Sequence, residues 1–189
     1  MSERIALAIT LRTAENPAMT EEQFWQIIQR SFDACGGDTD EQTDALAEQL
    51  EPLSPDEIRA FEKIFYQKHH LAYSWDLWGA AYILNGGCSD DGFHYFKTWL
   101  ISRGKKCFEA AIENADSLAD YSEQLGDDTE FEEFAYVARR VYEQKTGNEM
   151  PDDDDVAWIS GPTGDEWDED DDEGYKRRWP KLYAKYLAE

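Results

Sequence analysis

Two carboxylates and an imidazole lie close together in the segment Asn85-Gly-Gly-Cys-Ser-Asp-Asp-Gly-Phe-His94. If a helix starts at Ser89, His94 stands four residues after Asp90 and three after Asp91, spacings that bring side chains to one helix side. Such a set could hold a hard divalent metal or orient a general base. Asp90, Asp91 and His94 are therefore the candidate catalytic and metal-binding residues, and a divalent metal is the one cofactor they could accept. The set is thinner than a motif such as H-E-x-x-H. Its structural alternative is a helix start, with Ser89 and an Asp as caps where free backbone N–H groups favour negative charge. Cys88 is a candidate nucleophile only if His94, or a distant His69 or His70, reaches it, and spacing cannot show that geometry. His69 and His70 are adjacent, so on a helix they point about 100° apart and do not easily share a metal.

A second candidate site is acidic. Of 42 Asp and Glu residues, 12 fall within 151–175, which holds no Lys or Arg; the net charge of the whole chain is −24. Trp167 sits inside this run, in Asp165-Glu-Trp-Asp-Glu-Asp-Asp-Asp172, and Trp158 interrupts it upstream. Indole rings among carboxylates suit a basic protein surface: charge steers the approach and the rings supply contact area. Trp158, Trp167, Asp168, Asp170, Asp171 and Asp172 are the candidate protein-binding residues. The alternative is that Trp167 merely anchors a loop. Calcium fits poorly: Asp168, Asp170 and Asp172 have the opening spacing of an EF-hand, but Gly174 falls one place late and the closing Glu is missing. A field of this sign repels phosphate backbones and anionic lipid, which argues against nucleic-acid and membrane partners.

Helical elements must position these residues. Thr20 with Gln23, and Ser54 with Pro55 and Glu57, are capping-box starts. Phe24, Ile27, Ile28 and Phe32 follow the first, and Ile58, Phe61, Ile64 and Phe65 the second, at helical spacing. Trp75 to Leu84 is the most apolar run and reads as the central buried helix, with Gly79, Ala80 and Ala81 leaving room for close approach. Asn85-Gly86-Gly87 ends it. Ser89 opens the next helix, with Phe93, Phe96, Trp99 and Leu100 inward, and Lys105–Glu113 makes a shorter one. Thr129 reads as the cap of the last long helix. Pro180 starts a short one near the end.

The fold expected is mainly α, one compact multi-helix domain of six or seven helices, with short strands as an option near the N-terminus and at 156–159. Its parts are an N-terminal arm or strand (1–19), a helical domain (20–147), an acidic irregular segment (148–178) and a C-terminal short helix (179–189). Three scattered cysteines without a C-x-x-C pair, and no apolar run long enough for a secretion signal or a membrane span, point to a cytoplasmic protein.

The block Trp75 to Ile101 resembles the hallmark segment of a bacterial family known only as domain of unknown function 4240. The matching residues are Trp75, Leu77, Trp78, Ala81, Tyr82, the run Gly86-Gly-Cys-Ser-Asp-Asp91, and Phe93, Phe96, Trp99 and Leu100. Phe24-Trp25 is similar to that family's opening, and the similarity spans roughly residues 19–145. The resemblance implies a bacterial origin and a single folding unit, and implies no reaction, cofactor or site residue. The expected role is a protein-binding or regulatory module with an anionic surface. The alternatives are a metal-dependent or acid–base enzyme at Asp90, Asp91 and His94, and a structural adaptor without a small-molecule ligand.

Overall fold

The first five helices begin where a short polar side chain closes the first turn. In the computed structural model, which describes residues 18–36, 38–121, 129–152 and 161–188, both expected capping boxes form. Thr20 caps α1 (Glu21–Cys35) reciprocally with Gln23, and Ser54 caps α3 (Pro55–Leu71) with Glu57. Asp38 caps α2 (Thr39–Leu50), Ser74 caps α4 (Trp75–Asn85) and Ser89 caps α5 (Asp90–Ser102). Gly36 and Gly86 end α1 and α4 with φ of 63° and 65°, the left-handed geometry that glycine accepts without strain. The chain continues through α6 (Lys105–Glu113), a 3-10 helix (Ala115–Tyr121), a second 3-10 helix (Glu133–Tyr136) that runs into α7 (Val137–Thr146), then α8 (Asp172–Arg178) and α9 (Pro180–Tyr186).

The fold is all-α, but six or seven helices is too few. The described residues alone form ten separate helical units, counting the second 3-10 helix and α7 as one. Part of the excess is α8, inside the stretch expected to be irregular. The acidic run supplies its start: Asp171 Oδ1 accepts from the Gly174 N–H at 2.9 Å, with Asp172 and Glu173 in the first turn. Lys176, Arg177 and Arg178 occupy the last turn. Each sign therefore meets the opposite end of the helix dipole, a pattern hidden in what reads as charge alone. Thr129 caps no long helix either; its hydroxyl donates to Asn85 Oδ1. The strands considered near the N-terminus and at 156–159 fall outside the described residues. One isolated parallel bridge joins Ser74 and Thr163.

The core centres on α5, which touches α1, α3, α4, α6 and the second 3-10 helix. Phe93, Phe96, Trp99, Leu100 and Ile101 are all buried there. α4 is not buried all round. Leu77, Ala80, Ala81 and Ile83 face inward, while Trp75, Trp78 and Tyr82 remain half-exposed. Behind α5, a polar knot ties the α1–α2 pair to the end of α5. The Arg103 guanidinium donates to Gln42 Oε1, and the Gln42 amide donates to the Ser102 carbonyl at 2.9 Å. None of the described helices is long and apolar enough to cross a membrane.

The last described residues lie along α4. Thr163 bridges the α3–α4 turn, its N–H donating to the Tyr73 carbonyl (3.0 Å) and its carbonyl accepting from the Trp75 N–H (2.9 Å). Trp179, only 1% exposed, covers Gly79. Its indole N–H donates to the Asp76 carbonyl at 3.1 Å. The buried carboxylate of Asp116 then accepts from the backbone N–H groups of Lys181 and Leu182 at 2.9–3.1 Å. It caps α9 from a distant part of the chain, satisfying donors that a helix start leaves open.

Candidate functional site

Trp75, Trp78 and Tyr82 stand at i, i+3 and i+7 of α4, so they form one stripe. The Trp78 indole N–H donates to the Cys88 carbonyl at 3.0 Å, which fixes its plane. Trp75 lies near-parallel to it, 5.2 Å away at 13°, and Phe93 stacks on it at 4.8 Å and 15°. This stripe is the floor of a groove of about 660 Å³. Cys88 closes one end, and residues 166–169 of the segment bridged through Thr163 form the far wall. Trp167 meets Tyr82 edge-on at 4.9 Å and 62° and leans on Tyr175 and Trp179 behind.

The wall is acidic. Glu166, Asp168 and Glu169 are exposed along it. Glu169 accepts from the Tyr82 hydroxyl at 3.3 Å. Burial and this carboxylate both hold the Tyr82 proton more tightly than usual. Among the described residues no positive side chain lines the groove. Aromatic faces carry negative quadrupole potential and the carboxylates full charges, so the whole lining attracts cations.

The acidic candidates divide. Trp167 and Asp168 enter the groove. Asp170 and Asp172 border an adjoining depression of about 440 Å³ with Tyr82 and Tyr175. Asp171 and Asp172 are engaged within the molecule: Asp171 caps α8, while Asp172 pairs with Lys176 at 2.6 Å and accepts from the Tyr183 hydroxyl at 2.8 Å. Those two contacts, Lys176 foremost, lower the Asp172 pKa. Trp158 lies outside the described residues.

Asp90, Asp91 and His94 come together as a helix start. Ser89 Oγ accepts from the Gly92 N–H at 3.0 Å, and both aspartates are exposed in the first turn. His94 turns to another imidazole: its ring lies 4.4 Å from that of buried His69, whose Nε2 contacts the His94 carbonyl at 3.1 Å. Among the described residues no group of three His, Cys, Asp or Glu is placed to hold a metal ion. Buried Lys97, with its ammonium 4.3 Å from the Tyr73 ring centre, adds positive charge to this neighbourhood. Burial brings Lys97 itself down to about 8. Burial first, then Lys97, also lowers the pKa of His69, His70 and His94, against which Asp91 gives His94 only partial relief.

Cys88 is a poor nucleophile here. Burial, and then the charge of Glu130, push its thiol up to about 12. Because the thiolate is the reactive form, alkylation of Cys88 at mildly alkaline pH should run on the order of a hundredfold slower than for a free cysteine. Peptide-resolved mass spectrometry after timed iodoacetamide exposure checks this, and labelling at the free-cysteine rate would contradict it.

The groove residues that sequence reasoning missed are Trp75, Trp78, Tyr82, Glu166 and Glu169. Uniformly apolar composition hid the two faces of α4, and the i, i+3, i+7 aromatic spacing was the one signal that could have separated them.

No curated protein and no solved structure matches the chain. A family model described as "Protein of unknown function (DUF4240)" matches residues 19–144, which takes in the groove floor and leaves out its acidic wall. The match covers well over half of the chain, which therefore belongs to this family.

Proposed function

We propose that the protein is a binding module that receives a basic segment of a partner protein in the groove between α4 and residues 166–169. The observation that supports this reading most is the lining itself: three indoles and a phenol against three carboxylates, with no positive group among the described residues. Its volume falls in the range of about 300–1,000 Å³ typical of ligand sites. Trp and Tyr are the side chains that most often dominate interface energies when a partner covers them. The net charge of −24 extends the attraction beyond the groove and would speed encounter with a cationic partner.

Titration calorimetry with a short, capped peptide rich in Lys and Arg tests the proposal. Saturable one-to-one binding is expected, weakening as salt is raised. Trp75→Ala should weaken it by about tenfold or more, the loss of a contact of about 2 kcal/mol. The triple change Glu166→Gln, Asp168→Asn and Glu169→Gln should flatten the salt dependence. Equal affinity in wild type and both variants would overturn the assignment of the groove.

A further inference from the structure

The groove is built for a planar cation rather than a spherical one, and we infer that it selects arginine side chains over lysine or methylated lysine in the partner segment. This inference rests on the binding role proposed above and adds the chemistry of the group recognised. Three observations carry it. First, the floor is flat. Trp78 is near-parallel to both Trp75 and Phe93, and no second described ring packs on Trp75. A guanidinium is planar and weakly hydrated and lies flat on such a surface, whereas an ammonium keeps its water and acts as a point charge.

Second, the opposite wall offers carboxylates that can accept paired N–H donors. Glu166 makes no hydrogen bond or ion pair with any described residue, and it faces the groove together with Asp168. A guanidinium can hold a carboxylate with two parallel hydrogen bonds while its face remains on a ring, and an ammonium cannot do both in that geometry. Third, the rings do not form a box. Cages for methylated ammonium groups surround the cation with aromatic faces. Here Tyr82 and Trp167 close on each other edge-on at 4.9 Å, which leaves one open platform instead of converging walls.

The molecule already contains the arrangement in its own chain. Arg178 stacks on Trp179, with its guanidinium carbon 5.0 Å from the ring centre, while its Nε donates to the Asp76 carboxylate and its Nη2 to the Asp165 carbonyl at 2.6 Å. This intramolecular set of an indole, a carboxylate and a carbonyl lies at the root of the same wall. The groove lining offers two members of the same set, the indole of Trp75 and the carboxylate of Glu166.

Three capped peptides, identical except for arginine, lysine or trimethyl-lysine at the basic positions, test this by calorimetry at one salt concentration. The arginine peptide should bind about fivefold or more tighter than either of the others, reflecting ring stacking combined with paired hydrogen bonds. Trp75→Ala should abolish the difference while the fold is retained, since Trp75 stands outside the core cluster; circular dichroism of the variant verifies this. Neutralising Glu166 alone should also narrow the difference. Equal affinity for all three peptides, or tightest binding of trimethyl-lysine, would overturn the arginine preference and leave the binding role standing. Failure of all three to bind would overturn both.

Discussion

Trp179→Ala should destabilise the protein by about 3–5 kcal/mol, the usual cost of emptying a site filled by a large aromatic side chain. Trp179 is almost fully buried, and its indole N–H bonds the Asp76 carbonyl. It also lies so close to Gly79 that a Cβ there would overlap its six-membered ring. That overlap gives the prediction a second arm. In the wild type, Gly79→Ala forces two packed elements apart and should cost about 1–3 kcal/mol. In the Trp179→Ala background the severe overlap is gone and only the tight Trp167 Nε1 contact at 3.1 Å remains among the three nearest, so the same change should cost clearly less, offset by up to about 1 kcal/mol of helix propensity. Urea denaturation of the two single variants and the double variant completes the cycle. Additive losses would show that the tryptophan does not occupy the space over the glycine.

The second large effect concerns the join between α3 and α7. Arg139 Nε donates to Glu62 Oε1 at 2.7 Å, and the Glu62 side chain is only 6% exposed. Burial raises the Glu62 pKa even though Arg139 pulls it down. Arg139→Met removes that restraint and leaves a buried carboxylate unpaired, with an expected cost near the lower end of about 3–5 kcal/mol at neutral pH. The lower end applies because Arg139 keeps 37% of its own side chain in water. The pH dependence has a definite sign. With its folded pKa above the unfolded value, Glu62 binds its proton more tightly in the native state, so stability falls as pH rises between the two values. Removing Arg139 raises the folded value further. The loss should therefore be largest at neutral pH and shrink on acidification through the folded pKa, and Glu62→Gln in the same background should recover much of it. A loss of equal size at acid and neutral pH would contradict the role given to Glu62.

Local signals were legible in the sequence and distant ones were not. The caps at Thr20, Ser54 and Ser89 and the stops at Gly36 and Gly86 depend on neighbours within four residues, and all form as expected. The room at Gly79 was also legible, although its occupant, Trp179, comes from a hundred residues later. The acidic run hid α8 because attention to net charge overlooked the order of signs, acidic first and basic last. The groove needs Trp75 and Trp78 to meet Glu166 and Trp167, and contacts distant in sequence, among them the Thr163 bridge, the Trp179 anchor and the Arg178–Asp76 pair, bring them together. Similarly, Asp90 and His94 have the spacing of a ligand pair, but the His94 ring packs against His69 from another helix.

The most direct measurement is a nitrogen–proton correlation spectrum of the tryptophan side chains, recorded while an arginine-rich peptide is added. Each indole N–H gives its own signal, and the described tryptophans include both groove and core positions. The signals of Trp75, Trp78 and Trp167 should move together and saturate, while those of core Trp99 and of Trp25, on α1 beside Glu21, should stay in place. Saturable binding that leaves the three groove signals unmoved would contradict the account.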